Sequence, residues 1–157
     1  MQARHDMVTV FVVRRDEHGR SHEFLQLYRA QGSYMAQTWQ IVRGGVERGE
    51  SYVSAAIREL REETGLAPTE FYRLGTVESF YTAIDDTLWH SVAFCALVGR
   101  EQPVVLNQEH TDFRWVSRDR IEKCTMWSSE LELFRDVCRT ILDDGAGKAF
   151  LWIDSRA

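Results

Sequence analysis

Apolar positions alternate with polar ones in short runs at both ends of the chain, and once, near the middle, they recur with a helical period. Residues 7–13 (MVTVFVV) and 24–29 (FLQLYR) are rich in β-branched and aromatic side chains and are separated by the polar stretch RRDEHGRSHE. This is the pattern of a hairpin with a long loop. Residues 38–42 (TWQIV) predict a third strand, ending where Gly44 and Gly45 let the chain turn. Over residues 51–64, Val53, Ala56, Ile57 and Leu60 fall at the spacing of one buried helix face, Gly65 sits where a left-handed C-cap belongs, and Pro68 blocks continuation. Two longer strands follow, over 70–82 and 89–99, joined through AIDDT, with a shorter one over 112–116. A second helix is expected from Ser129, whose hydroxyl and Glu132 match a capping box, with Leu131, Phe134, Cys138 and Ile141 as its apolar stripe and Asp143, Asp144 and Gly145 at its end. The tail KAFLWIDS reads equally as a last strand or a docking segment. Strands, a helix, more strands and a second helix predict an α/β fold with a mixed β-sheet flanked by helices.

Composition places this pattern in one domain, residues 1–157: the chain has 44% hydrophobic and 27% charged residues, the balance of an ordinary globular protein. A net charge of -5 excludes a broad nucleic-acid or acidic-membrane footprint, which needs a basic excess. A phosphorylated ligand is then compatible only with a divalent cation between it and an acidic cluster. The absence of a leader-like or membrane-length apolar run leads us to expect a cytoplasmic protein, and Cys95, Cys124 and Cys138, with no metal-type spacing, read as reduced core thiols.

The candidate chemistry lies in the first helix. On a helical wheel Glu59, Glu62 and Glu63 share one ridge, centred roughly 115° from the apolar stripe. Like charges at these spacings repel, and no lysine shares the ridge. One reading is a solvated face partly neutralised by Arg58 and Arg61; the other is a cation site, since Mg²⁺ favours rigidly placed carboxylates open to a phosphate oxygen. The glycine-rich approach through Gly44, Gly45 and Gly49, which brings backbone carbonyls and Glu50 towards the helix, favours the second.

Residues 44–66, GGVERGESYVSAAIRELREETGL, resemble the Nudix box, G-x5-E-x7-R-E-U-x-E-E-x-G-U with U apolar. Gly44, Glu50, Arg58, Glu59, Leu60, Glu62, Glu63, Gly65 and Leu66 occupy all of its fixed positions. The resemblance implies a Nudix-type α/β/α sandwich and a pyrophosphohydrolase that cleaves a nucleoside diphosphate linkage with Mg²⁺ or Mn²⁺. It also implies roles by position. Glu62 and Glu63 resemble the principal metal ligands, joined by Glu59, the Arg43 backbone carbonyl and, less directly, Glu50. Arg58 resembles the residue that orients the carboxylates, and Gly44 and Gly65 are structural. Glu109, before the late strand, is similar to residues that supply a base or further ligand, so the general base is Glu59 or Glu109.

For substrate, TWQIVRGGVERGE and EHTDFRWV resemble the dATP and dihydroneopterin triphosphate pyrophosphohydrolase branch, related to MutT, although Arg43 stands where threonine is common. The expected partner is therefore a small-molecule nucleotide, with Arg29, Trp39 and Tyr81 as candidate substrate contacts and a monomer or homodimer as the working form. Dinucleoside polyphosphate or RNA 5'-end hydrolysis is the alternative within the class, and a non-catalytic nucleotide-sensing domain is the alternative outside it. The proline and zinc-cysteine patterns of ADP-ribose and NADH hydrolases are missing.

Overall fold

The computed structural model describes residues 1–156. Eight strands form one mixed sheet: β1 (Gln2–Arg15), β2 (His22–Arg29), β3 (Trp39–Gln40), β4 (Val42–Gly45), β5 (Glu70–Thr82), β6 (Thr87–Leu97), β7 (His110–Ser117) and β8 (Trp152–Ile153). The helices are α1 (Tyr52–Thr64), α2 (Ile121–Cys124), α3 (Ser128–Asp136) and α4 (Lys148–Leu151). A π-helical segment, Val137–Leu142, continues α3, and Asp143 closes it by donating to the Cys138 carbonyl five residues back.

β1 is the spine. It pairs in parallel with β6 along one edge, while β4 and β2 share its other edge, β4 opposite residues 7–10 and β2 opposite residues 13–15. β5 extends the sheet antiparallel to β6, and β7 runs along the far edge of β2. Alternation along β1 decides the layers. Val8, Val10 and Val12 pack with Ala55, Ala56 and Leu60 of α1, whereas Phe11 and Val13 pack with Leu133, Phe134 and Val137 on the opposite face. The result is the expected α/β/α sandwich, with a mixed sheet between one core under α1 and another under α3.

Several local expectations change. The third strand divides at Ile41, and Gly44 and Gly45 do not turn but lie in β4, paired with Val8 and Met7. The turn comes later, where the Glu50 amide bonds the Glu47 carbonyl. Ser129 does not cap the second helix: Trp127 occupies the N-cap without a side-chain bond, and the Ser129 hydroxyl instead donates to Glu78 at 3.0 Å. The tail ends in the last strand the sequence allowed, paired with β5, and a short helix that was not foreseen precedes it. The short α2 was not foreseen. Cys95 and Cys138 are buried and Cys124 half-buried, all three as free thiols.

Candidate active site

β4 delivers the chain to the start of α1, where Ser51 accepts a hydrogen bond from the Ser54 amide at 3.1 Å. Gly65 ends the helix at φ 72°, in the left-handed region, with its amide donating to the Arg61 carbonyl at 2.8 Å. Between these caps Arg58 organises the box. Its Nε and Nη2 each donate to Glu50 at 2.9 Å, and Nη2 also donates to the Gly45 carbonyl at 2.8 Å. Nη1 reaches Glu59 Oε1 at 2.8 Å and Glu62 Oε2 at 3.3 Å. The bidentate Arg58 contact, helped by the Glu47 amide, holds the Glu50 carboxyl well below its usual range, at about 2. Glu50 is therefore fully engaged by Arg58, Glu59 gives up one oxygen, and Glu62 stays largely exposed.

Glu63 differs from its neighbours. It is 1% exposed, and neither carboxylate oxygen has a hydrogen-bond partner. The Arg43 backbone N–H faces it without reaching hydrogen-bond geometry, a weak opposing pull. Burial, reinforced by the charges of Glu109 and Glu59 and opposed by Arg29, pushes its carboxyl up to about 9. The single ridge the wheel suggested is thus split: Glu62 faces water, and Glu63 joins the buried face with Ala56 and Leu60. The spacing contained this signal, because Glu63 lies seven residues after Ala56 and so only ~20° from it on the wheel. Glu59 is half-buried, and burial raises its carboxyl against the pull of Arg58. Gly44 makes room for it: a Cβ there would stand 2.1 Å from the Glu59 carboxyl carbon. The glycine is required by this close approach and not by a turn.

Glu63, Gly44 and Arg43 face a cavity of about 610 Å³. Its wall includes Arg29, whose Nε donates to the Tyr34 carbonyl at 3.0 Å, and His110, the β7 partner of Arg29. His110 is 4% exposed, its Nδ1 has no partner, and burial with the Arg29 charge lowers its pKa to about 4. Glu109 is exposed in the turn just before β7, where its carbonyl accepts from the Ala30 amide. Tyr81 lines the cavity, 60% exposed, with its hydroxyl donating to Asp86. Trp39 does not line it. Its ring packs on Tyr28 with centroids 5.0 Å apart and takes the Arg114 guanidinium at 4.1 Å.

Sequence reasoning missed a buried ionic cluster on the cavity wall. Arg43 Nη1 lies 2.8 Å from Glu78 Oε1, and Nη2 lies 3.7 Å from Glu130. Glu78 also accepts from Ser129 and from Thr9, and the Arg43 guanidinium stands 5.3 Å from the Phe80 ring centre. An inward-facing Glu78 in an otherwise alternating strand was the available signal. Arg43 was read for its carbonyl and for its place in the box approach, and its guanidinium was given no partner.

Among the described residues, no three His, Cys, Asp or Glu side chains converge closely enough to form a ready-made metal cage. The donor set nevertheless fits a hard divalent cation. It consists of carboxylate and carbonyl oxygens, and Glu63 is a buried acid with nothing bonded to it, for which a cation would replace the lost hydration. A phosphate entering the cavity would meet Arg29 as well.

The family model described as NUDIX domain matches residues 5–137. The asymmetrical bis(5'-nucleosyl)-tetraphosphatase of Sus scrofa is 30% identical over 128 residues, covering 78% of each chain. A putative 8-oxo-dGTP diphosphatase 3 of Mycobacterium tuberculosis is 30% identical over 95 residues, 60% of this chain and 44% of that protein. Nudix hydrolase 27 of Arabidopsis thaliana matches at 44% over 46 residues, so the chain spans only 20% of that relative's length. Among solved structures, a C. elegans Ap4A hydrolase binary complex superposes with a TM-score of 0.72 at 22% identity, covering 87% of this chain and 97% of the other. The E. coli dihydroneopterin triphosphate pyrophosphohydrolase gives 0.65 at 20% identity, covering 87% and 94%. These last two show a shared fold.

Proposed function

The chain belongs to the NUDIX domain family, and from that premise we propose that it is a divalent-metal-dependent pyrophosphohydrolase cleaving a phosphoanhydride bond of a nucleoside triphosphate or related nucleotide. The observation that carries this reading is Glu63, a buried carboxylate with no bonded partner, within charge reach of Glu59 and Glu109 and facing a nucleotide-sized cavity. Hydrolases of this family generally need divalent metal ions. When bound, such an ion supplies neutralisation of phosphate oxygens and makes an attacking water more acidic.

The residues of this chain have separable tasks. Glu63, Glu59, Glu62 and the Arg43 carbonyl would hold the cation, and Arg58, by donating to both Glu59 and Glu50, offsets the repulsion between the carboxylates and fixes their orientation. Glu50 stays with Arg58, which makes it a positioning residue. Arg29, which lines the same cavity as Glu63, meets a phosphate, and Tyr81, 60% exposed, stands at the rim. Glu109 accepts the proton from water, because Glu59, the other candidate, already shares an oxygen with Arg58. Water attacks phosphorus, the bridging oxygen leaves with the diphosphate or monophosphate, and the net proton passes to solvent.

Support for the substrate class comes from the relatives, whose names cover a dinucleoside tetraphosphate, an oxidised deoxynucleoside triphosphate and dihydroneopterin triphosphate. The test is a panel of dNTPs, dihydroneopterin triphosphate, diadenosine polyphosphates and triphosphate-ended RNA, with products identified in Mg²⁺ and in EDTA. Metal-dependent release of pyrophosphate or phosphate supports the proposal. Tight nucleotide binding without release would instead make this a sensing domain.

A further inference from the structure

β5 is covered along one side and largely open along the other. β6 pairs with it as far as Thr82, but on the outer side β8 reaches only Phe71 and Tyr72. Residues 76–82 therefore form a sheet edge without a strand partner, and among the described residues no other segment sends a backbone hydrogen bond to it. Such an edge is normally guarded by charge, proline or a covering segment. This one reads TVESFYT, and its single charge, Glu78, is buried and held by Arg43 at 2.8 Å. β7, which pairs only with β2, shows the usual guard: it carries Asp112 and Arg114, and the Asp112 side chain accepts from the Phe113 amide.

We propose that this edge is an interface between two copies of the chain, in which β5 pairs antiparallel with β5 of the second copy about a two-fold axis at Ser79. The occupant is read from the stretch itself, which is symmetric in kind about its centre. Antiparallel pairing at this register sets Thr76 against Thr82, Val77 against Tyr81, Glu78 against Phe80 and Ser79 against its own copy. Each contact occurs twice, as a closed dimer requires. Alternation puts Val77, Ser79 and the rim residue Tyr81 on one face, and Glu78 and Phe80 on the other. On the first face the 53% exposed Val77 gains an aromatic neighbour, a favourable cross-strand pair that the single chain leaves in water. On the second, Phe80 of the second copy meets Glu78, whose charge Arg43 already offsets, and half-exposed Trp127, which lines the cavity with Phe80, adds apolar surface. A ladder of seven residues is small beside the ~800 Å² per partner of a standard interface, so the pairing belongs in the micromolar range.

The test has two parts, both on the full chain. Sedimentation velocity of the wild type, over roughly 1 to 100 μM, should show a monomer passing into a dimer. Cysteine cross-linking with oxidised glutathione then reads the register. Residues directly opposite in an antiparallel pair have Cα atoms about 4.5–5.5 Å apart, within reach of a disulfide, whereas Val77 and its own copy would lie about four residues, or ~13 Å, apart. Ser79→Cys should therefore form a covalent dimer about tenfold or more faster than Val77→Cys or Tyr81→Cys alone, while a mixture of those two should cross-link to each other at a rate near that of Ser79→Cys. A wild type that stays monomeric at about 100 μM would overturn the inference. So would a dimer in which Ser79→Cys cross-links no faster than Val77→Cys, or in which the mixture gives no mixed dimer. The sedimentation measurement needs no variant, so it decides even if a cysteine variant does not fold.

Discussion

Replacing Glu63 with glutamine should stabilise the metal-free protein, and by an amount that depends on pH. The folded state raises the Glu63 carboxyl from 4.5 to about 9, so the folded chain binds a proton that the unfolded chain releases above pH 4.5. Because the folded state is the more protonated one, stability falls as pH rises through the window from 4.5 to about 9. At pH 7 the titration spans about 2.5 units at ~1.4 kcal/mol each, a cost of about 3 kcal/mol in the wild type. Glutamine resembles the protonated acid in shape and does not titrate, so it escapes this cost. At ~2–4 °C per kcal/mol for a chain of this size, Glu63→Gln should melt about 6–12 °C higher at pH 7 in EDTA, with the difference vanishing near pH 4.5. Differential scanning calorimetry across that range measures it. Excess Mg²⁺ should raise the wild-type melting temperature and leave the variant unmoved. A variant less stable than wild type at pH 7, or a difference independent of pH, would refute the claim that Glu63 is an uncompensated buried acid.

Two further substitutions probe the surroundings. Gly44→Ala places a methyl where the Glu59 carboxyl now lies; that flexible end can move, so the fold should survive while kcat/KM falls about a hundredfold, checked by melting and steady-state kinetics on the same preparation. Arg43→Met leaves two buried carboxylates, Glu78 and Glu130, without their cation and should cost about 3–5 kcal/mol in urea unfolding at pH 7, less at pH 5 where Glu130 is protonated.

Most of the fold was legible because its elements carry local signals: β-branched alternation in β1, β2, β5 and β6, and the apolar stripe, C-cap glycine and following proline of α1. What was not legible depended on distant partners. Ser129 has the spacing of a capping residue, but a buried Glu78 on β5 offers its hydroxyl a charged acceptor, and that contact prevails. Gly44 and Gly45 look like a turn until β1 is seen to pair with them. In the site, nine box positions identified the acidic helix, yet averaging Glu59, Glu62 and Glu63 into one ridge concealed that Glu63 belongs to the buried face. Trp39 was chosen for its residue type and lies against Tyr28 and Arg114 instead. The Arg43, Glu78 and Glu130 cluster joins three elements far apart in sequence, so no spacing rule could have assembled it.

The central claim is that Glu63 serves a cation that drives phosphoanhydride hydrolysis. The most direct measurement is phosphate and pyrophosphate release from nucleoside triphosphates in Mg²⁺, wild type beside Glu63→Gln. The account predicts metal-dependent turnover in the wild type and, in the folded variant, a loss exceeding the ~10–100-fold cost of an outer-shell change. Turnover by Glu63→Gln close to wild type, or wild-type turnover undiminished in EDTA, would contradict it.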